Sequence, residues 1–228
     1  NYITTSIDKA VTSGNGLLRT VYAAPPSYDL AGIPSHVDGN PYTQNSFRGS
    51  FDNAYWAMEN NKFTEDTNRF FGNVYTSYQT DFGTTNHKLN AKYMVGVDAY
   101  TTHYVDSYGY GSNTGGGRGQ IENYGWTNAT YNSLLTINYD WHINEDWGLN
   151  AVVGNEIIQS NRKKYYEYGT NYNFPGWNHI NNATTQQTEE ETWKNRTVGF
   201  FGNVSASYRN MLYLTLTGRQ DYVSNMPR

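Results

Sequence analysis

Cysteine is absent from this chain of 228 residues, and charged residues are scarce. Without a thiol, the chain forms no disulfide, no thiolate zinc site and no cysteine nucleophile. Asp, Glu, Lys and Arg make up 16% of the residues, compared with about a quarter in a typical globular domain. The net charge of −4 gives no electrostatic reason to expect nucleic acid as a partner. No apolar run approaches the roughly 18 residues that a membrane-spanning helix needs.

Aromatic residues, in contrast, are abundant: they make up 16% of the chain and include 22 tyrosines. The mean hydropathy is −0.78 although few residues are charged, because the polarity comes from Asn, Thr, Ser, Gly and Tyr. Disordered chains are poor in aromatics and rich in charge, so we expect a folded chain. It begins at Asn1 without a basic or apolar leader and ends with Met226-Pro227-Arg228, and we therefore expect a piece of a longer protein.

Apolar and polar residues alternate with a period of two in three pairs of segments. Between Leu135 and Trp141, every second residue is apolar, and the residues between them are Thr, Asn and Asp. This alternation is typical of strands that have one apolar face and one polar face. A short turn joins the two members of each pair, as a hairpin requires. The predicted strands are 69–80, 87–100, 128–142, 147–160, 196–208 and 212–222.

The connections between these strands alternate in length. The links within pairs are short, whereas those at 101–124 and 161–193 are long and polar, and a long irregular stretch at 23–67 precedes the first strand. Outer-membrane barrels have short periplasmic turns and long extracellular loops. Five aromatic residues cluster near the short turns, where an interfacial aromatic girdle would lie: Tyr78, Trp141, Trp147, Tyr208 and Tyr213.

Two all-β folds fit this alternation, a soluble sandwich and a membrane barrel, because a core face and a lipid-facing face look alike in one sequence. The predicted strands have 11 to 15 residues. This is long for a globular protein and enough for a tilted membrane strand, which needs about 9–11. Their apolar faces carry no Asp, Glu, Lys or Arg. A charge facing lipid at the bilayer midplane costs about 2–4 kcal/mol. The sequence therefore favours the barrel.

No catalytic or metal-binding pattern stands out. The five histidines are scattered, with no pair at metal-ligand spacing. Asp140 and Glu156 lie on one polar face, and a glycosidase would need two such carboxylates about 5–9 Å apart. We expect them instead to be polar residues hydrated by the water of a lumen. The stretch 109–119 is rich in glycine without matching G-x-G-x-x-G, and Glu189-Glu190-Glu191 fits a solvated loop. We expect no enzyme, no cofactor and no metal site.

One aromatic stretch in the second long connection has the composition of a ligand site. Rings offer flat apolar faces at a low entropic cost, and the asparagines among them supply hydrogen-bond donors and acceptors. The alternatives are a compact loop and a contact with a partner protein. The candidate substrate-binding residues are Tyr165, Tyr166, Tyr168, Tyr172, Phe174 and Trp177.

A repeated segment within the chain carries a resemblance to a known family. Phe70–Tyr78 and Phe200–Tyr208 are identical at seven of nine positions, and an arginine precedes each segment. They resemble the R-x-F-G strand of SusC/RagA-type TonB-dependent outer-membrane transporters. Five further segments resemble motifs of this family in the same order: Pro25–Gly32, Asn53-Ala54-Tyr55-Trp56 (N-P-Y-W, departing at Ala54), Gly96–Tyr100, Gly154-Asn155-Glu156 and Gly218–Asp221.

The resemblance implies an antiparallel transmembrane β-barrel wall, part of a plugged barrel of about 22 strands. Residues 1–228 would form part of this barrel, without the plug domain and the C-terminal strands. The complete protein would lie in the outer membrane, in contact with its lipid, and would import oligosaccharides or peptides. Its partners would be a SusD-like surface lipoprotein and, through the plug, TonB. The residues expected to face the lumen are Asn73, Asp98, Asn138, Asp140, Glu156, Arg219 and Asp221.

A second function from a different class stays open at this point. A secreted all-β module that binds glycans would also have alternating strands and aromatic loops. It would be soluble without detergent, whereas a barrel wall would not.

Overall fold

The computed structural model describes residues 1–9, 17–83 and 86–225. Its main feature is a seven-stranded antiparallel sheet in the order β1-β4-β5-β6-β7-β8-β9. These strands are β1 (Tyr2–Asp8), β4 (Lys62–Thr80), β5 (His87–Tyr108), β6 (Gln120–His142), β7 (Trp147–Tyr172), β8 (Ala183–Tyr208) and β9 (Leu212–Asn225). The small elements are α1 (Leu17–Ala23), the paired strands β2 (His36–Val37) and β3 (Asn40–Gln44), α2 (Ala54–Asn60) and a 3-10 helix (Ile180–Asn182).

The strands are longer than the alternation predicts. β4 to β9 contain all six predicted segments, but the predicted connections 101–124 and 161–193 shrink to 109–119 and 173–182. The stretch 23–67, predicted to be irregular, holds β2, β3, α2 and the start of β4, and β1 was not predicted. Glu189-Glu190-Glu191 lies in β8 and not in a loop. The reason is that both faces become polar toward the long connections, so the hydropathy alternation ends while the backbone pairing continues.

Tight turns close the hairpins on one side of the sheet. In the β8–β9 turn, Arg209 and Asn210 both have positive φ, 49° and 53°, and the amide of Met211 donates to the carbonyl of Tyr208. Two consecutive left-handed residues match the twist of paired strands. The Arg209 guanidinium also binds Asp146 in the neighbouring β6–β7 turn, with Nε 2.8 Å from Oδ1.

The strand register separates the side chains into two faces. The apolar face contains, in one cross-strand row, Tyr78, Ala91, Ile137, Val153, Gly202 and Gly218. Over 70–80, 87–99, 129–141, 147–157, 198–208 and 212–222, this face carries no Asp, Glu, Lys or Arg. Its large apolar side chains stay exposed, as Val74 (68%), Val153 (55%) and Leu216 (66%) illustrate. This side of the sheet is therefore an uncovered apolar surface.

Polar contacts hold a loop assembly together at the opposite end from the tight turns. Asp52 is fully buried there, and its carboxylate accepts hydrogen bonds from Gln44 Nε2 (2.8 Å), the Asn113 amide (2.7 Å) and Ser112 Oγ (2.6 Å). These contacts join the segment before α2 to the β5–β6 loop. A small apolar core lies nearby, formed by Ile121, Tyr172 and Ala183 together with Val105, Tyr110 and Ile180.

Neither helix that the structure describes is long and apolar enough to cross a membrane.

Candidate functional site

The second face of the sheet, which we call the polar face, holds all seven residues predicted to face a lumen. One of its cross-strand rows is defined by the pairs Phe71–Asp98, Asp98–Thr130 and Thr130–Ser160. Asn73, Asp98, Asn138, Asp140, Glu156, Arg219 and Asp221 occur at alternate positions in phase with these rows. Their side chains therefore share one side of the sheet, opposite the uncovered apolar surface.

An arginine–aromatic–carboxylate cluster follows the first repeat on this face. The guanidinium of Arg69 donates to both oxygens of Asp98, from Nε to Oδ1 at 2.8 Å and from Nη2 to Oδ2 at 2.5 Å. The same guanidinium lies 5.2 Å from the ring centroid of Phe71. Such a two-point contact fixes the orientation of both side chains.

The second repeat builds an equivalent cluster from different residues. Arg219 of β9 lies 5.8 Å from the ring centroid of Phe201 and binds Glu156 (2.7 Å) and Asp221 (2.9 Å). Gly199 occupies the position that corresponds to Arg69, and a Cβ there would lie 2.5 Å from Asp221 Oδ1. The neighbouring strand thus supplies the arginine.

Arg196, the residue that precedes the second repeat, plays no part in this cluster. It lies three positions before Gly199, an odd number, so it belongs to the other face and donates to the side chain of Gln159.

The pair Asp140 and Glu156 does not have the geometry of a glycosidase. Asp140 lies opposite Asn150, and Glu156 is six residues further along β7, which places it about 20 Å away at ~3.3 Å per residue. Asp140 instead accepts hydrogen bonds from Asn138 Nδ2 (2.9 Å) and Asn150 Nδ2 (2.6 Å). These residues form a polar network next to the tight turns.

Tyrosines and carboxylates form two adjacent rows on the polar face, toward the long connections. The first row crosses five strands and contains Glu65, Tyr104, Tyr124, Tyr166 and Glu189. The second row contains Asp106, Glu122 and Tyr168. We call these eight residues the tyrosine–carboxylate rows.

The rings of these rows contact one another across strands. Tyr104 and Tyr124 stack with centroids 4.7 Å apart and planes 7° apart, and Trp126 meets Tyr104 edge-on at 5.5 Å. Tyr124 lies 6.4 Å from Tyr166, which is nearly parallel to Tyr168 at 6.5 Å. Cross-strand aromatic contacts of this kind stabilise a sheet and fix its register.

The phenol groups are held in their protonated form. Partial burial raises the pKa of Tyr104, Tyr124 and Tyr166, and nearby carboxylates raise it further, above all Glu65 for Tyr104 and Asp106 for Tyr124. The Tyr124 hydroxyl donates to Asp106 Oδ2 at 3.1 Å. At neutral pH these hydroxyls therefore stay protonated and can donate hydrogen bonds, as Tyr124 does to Asp106.

The six candidate substrate-binding residues lie in four separate places. Tyr166 and Tyr168 belong to the tyrosine–carboxylate rows, whereas Tyr165 lies on the other face and contacts His103 Nδ1 through its hydroxyl. Tyr172 is fully buried, and burial raises its pKa. The prediction that Tyr172 lies in a loop is wrong, because β7 continues through Tyr172. It is wrong for Tyr165, Tyr166 and Tyr168 for the same reason.

The other two candidates stand at the turn after β7. Phe174 and Trp177 stack at 5.8 Å, and Trp177 stacks in turn on His179 at 4.9 Å. Asn182, which is almost fully buried, donates from Nδ2 to the carbonyls of Phe174 and Trp177 at 2.8 Å each. This column is exposed and separate from the rows.

Sequence reasoning missed Tyr104, Tyr124 and Trp126. Their spacing carries a signal, because Tyr124 and Trp126 are two residues apart, as are Tyr166 and Tyr168, so each pair shares a face of a strand. The extended strands bring these pairs together with Tyr104.

Comparisons with known proteins identify the fold. No family model and no curated protein sequence matches the chain. A solved structure of the RagAB peptide transporter matches with a TM-score of 0.64 at 15% identity, over 76% of this chain and 19% of that chain. The RagAB peptide importer in its closed-closed state gives the same TM-score at 16% identity, over 76% of this chain and 19% of that chain. In its open-open state, the importer again gives this TM-score at 15% identity, over 85% of this chain and 21% of that chain.

The sheet therefore has the fold of a β-barrel wall segment from a transporter, which confirms the predicted all-β fold class. At this low identity, the likeness shows the fold alone. The chain spans about a fifth of the length of the RagAB chains that it matches.

Proposed function

We propose that this chain is part of the barrel wall of a SusC-like, TonB-dependent transporter of the outer membrane. The observation that carries the proposal is the uncharged apolar face, whose large side chains stay exposed while the opposite face is polar and hydrogen-bonded. A soluble sandwich would bury such a face against a second sheet, and contiguous exposed apolar surface of this kind marks an interaction with a partner or with lipid.

Strand length supports the same proposal. β6 and β7 have 23 and 26 residues, whereas a tilted strand crosses the hydrocarbon core with about 9–11. The part next to the tight turns carries the uncharged face and would cross the membrane. The remainder, with the tyrosine–carboxylate rows, would rise above the bilayer and line the entrance to the lumen.

The transported substrate would be a peptide or an oligosaccharide, taken up without breaking a bond. The similar solved structures are of a peptide transporter, which favours peptides. By the same resemblance, we expect a SusD-like surface lipoprotein at the entrance and TonB acting through a plug outside this chain.

The first test is the size and location of the native polypeptide that contains this segment. Because 76% of this chain matches 19% of a RagAB chain, we expect a protein roughly four times the 26.0 kDa of this chain. Immunoblotting of fractionated cells with an antibody against this chain, together with the intact mass, measures both properties. A native chain of about this size in the soluble fraction would overturn the proposal and favour the secreted glycan-binding module.

A further inference from the structure

The tyrosine–carboxylate rows contain more negative charge than the surrounding residues neutralise. Tyr124 donates a hydrogen bond to Asp106 at 3.1 Å, Gln120 donates one to Glu122 at 3.1 Å, and Gln187 donates one to Glu189 at 3.3 Å. All three donors are neutral. Within the part of the chain that the structure describes, Glu65 is the one acid of the rows that has a basic side chain within ion-pair distance.

The base beside Glu65 shows how these rows hold an ammonium group. Lys9 Nζ lies 2.5 Å from Glu65 Oε2 and 4.2 Å from the ring centroid of Tyr104. The cation thus contacts a carboxylate and the face of a tyrosine at once. Both contacts attract an ammonium ion, because the carboxylate is an anion and the ring face carries partial negative charge.

The same combination recurs two strands away without a lysine. Glu122 lies between Asp106 and Tyr168 in its row and next to Tyr124 and Tyr166 in the adjacent row. Resting on the proposed function, we propose that this place is a seat for an ammonium or guanidinium group of a peptide substrate. The seat would make the transporter favour peptides that carry Lys, Arg or a free amino terminus.

The geometry favours a cationic group over a sugar ring. A sugar stacks on an open aromatic face, but Tyr104 and Tyr124 each cover one face of the other, and Lys9 also lies over Tyr104. At the seat, the rings of Tyr166 and Tyr168 stand beside carboxylate and phenol oxygens. These oxygens accept hydrogen bonds from the N–H donors of ammonium and guanidinium groups.

The chain's own cations limit the seat on its membrane side. Lys164 lies opposite Trp126 in the next row, and the guanidinium of Arg162, two residues further, lies 5.5 Å from the ring centroids of Trp126 and Trp193. These two bases repel a cationic ligand, which is therefore directed toward Asp106 and Glu122, on the side of the seat that faces the long connections.

The test compares two peptides on the full-length protein in detergent. Both are blocked at their ends and identical except for one residue, which is lysine in one and Nε-acetyl-lysine in the other. Isothermal titration is expected to show the lysine peptide binding about tenfold more tightly, as one carboxylate and one ring contact would give. Glu122→Gln and Asp106→Asn should each remove most of this preference.

Glu167→Gln is the matched control, since Glu167 lies at a similar height on β7 but on the opposite face, beside Asn123. It removes the same charge and should leave the preference intact. Circular dichroism and thermal unfolding show which variants fold. If the Glu122 variant does not fold, the Asp106 variant tests the preference in its place.

Equal affinity of the wild type for both peptides would overturn the cationic seat and leave the proposed transporter in place. An equal loss in the Glu122 and Glu167 variants would overturn it too, because the preference would then come from net charge. Absence of the native protein from the outer membrane would instead overturn the proposed function, and the seat with it.

Discussion

At the scale of single residues, the segment Asn53-Ala54-Tyr55-Trp56 acts as the anchor of the loop assembly. Asn53 caps α2, and its Oδ1 accepts from the amides of Tyr55 (3.0 Å) and Trp56 (3.2 Å). Trp56 is fully buried, and its Nε1 donates to the carbonyl of Pro41 at 2.8 Å. The asparagine orders the helix start, and the tryptophan fixes that helix against the chain before it.

Replacing Trp56 with alanine should open the loop assembly. The change removes a buried ring and its hydrogen bond, and such Trp→Ala changes cost about 3–5 kcal/mol. Hydrogen exchange of residues 40–61 in the full-length protein measures the effect, which we expect to be much faster exchange there and little change in β6 and β7.

The neighbouring Tyr55 provides the control, since it is 47% exposed on the same helix. Tyr55→Ala should alter exchange only slightly. Comparable loss of protection in both variants would mean that burial of Trp56 does not hold the assembly.

At the scale of the strand, one residue of register decides which solvent a side chain meets. Val204 in β8 lies on the apolar face at 45% exposure, whereas Ser205 lies on the polar face, with Thr215 Oγ1 2.9 Å from its hydroxyl. A shift by one residue would exchange the two faces over the whole strand.

Arginine at position 204 should therefore block membrane assembly of the full protein. A lipid-facing arginine at the midplane costs about 2–4 kcal/mol, enough to disfavour insertion. The measurement is the amount of Val204→Arg protein that resists extraction of the membrane with carbonate, relative to wild type.

Ser205→Arg introduces the same residue one position away, on the face that already holds Arg219 and Asp221. Wild-type amounts of this variant are expected in the membrane. Equal tolerance of arginine at both positions would contradict the assignment of the faces.

At the scale of the molecule, the described sheet is open. β1 and β9 are its two edges, and each has one side without a strand partner among the described residues. Backbone N–H and C=O groups left unpaired in lipid cost several kcal/mol each, and exposed edges pair with other chains.

The isolated 228-residue chain in detergent should therefore associate through its edges. Size-exclusion chromatography with light scattering is expected to show a broad range of oligomers, whereas the full-length protein in the same detergent should give one narrow species. A narrow monomer peak for the isolated chain, with β-rich circular dichroism, would show that the edges do not need partners.

The sequence by itself determined the hairpins, the two faces and the fold class. Alternation as at Leu135, Ile137 and Tyr139 depends on a local property, the opposite direction of successive side chains, and short turns fix which strands pair. The seven predicted polar positions share a face for the same reason.

Only the tertiary structure decided what happens where the alternation fades. Tyr165 and Tyr166 look like loop residues because both faces of β7 are polar there, yet backbone pairing with β6 and β8 continues past them. The tyrosine–carboxylate rows bring together residues of five strands that are far apart in the chain, and Arg219 replaces the arginine that the second repeat lacks. Cross-strand pairing sets these contacts, and no local pattern encodes it.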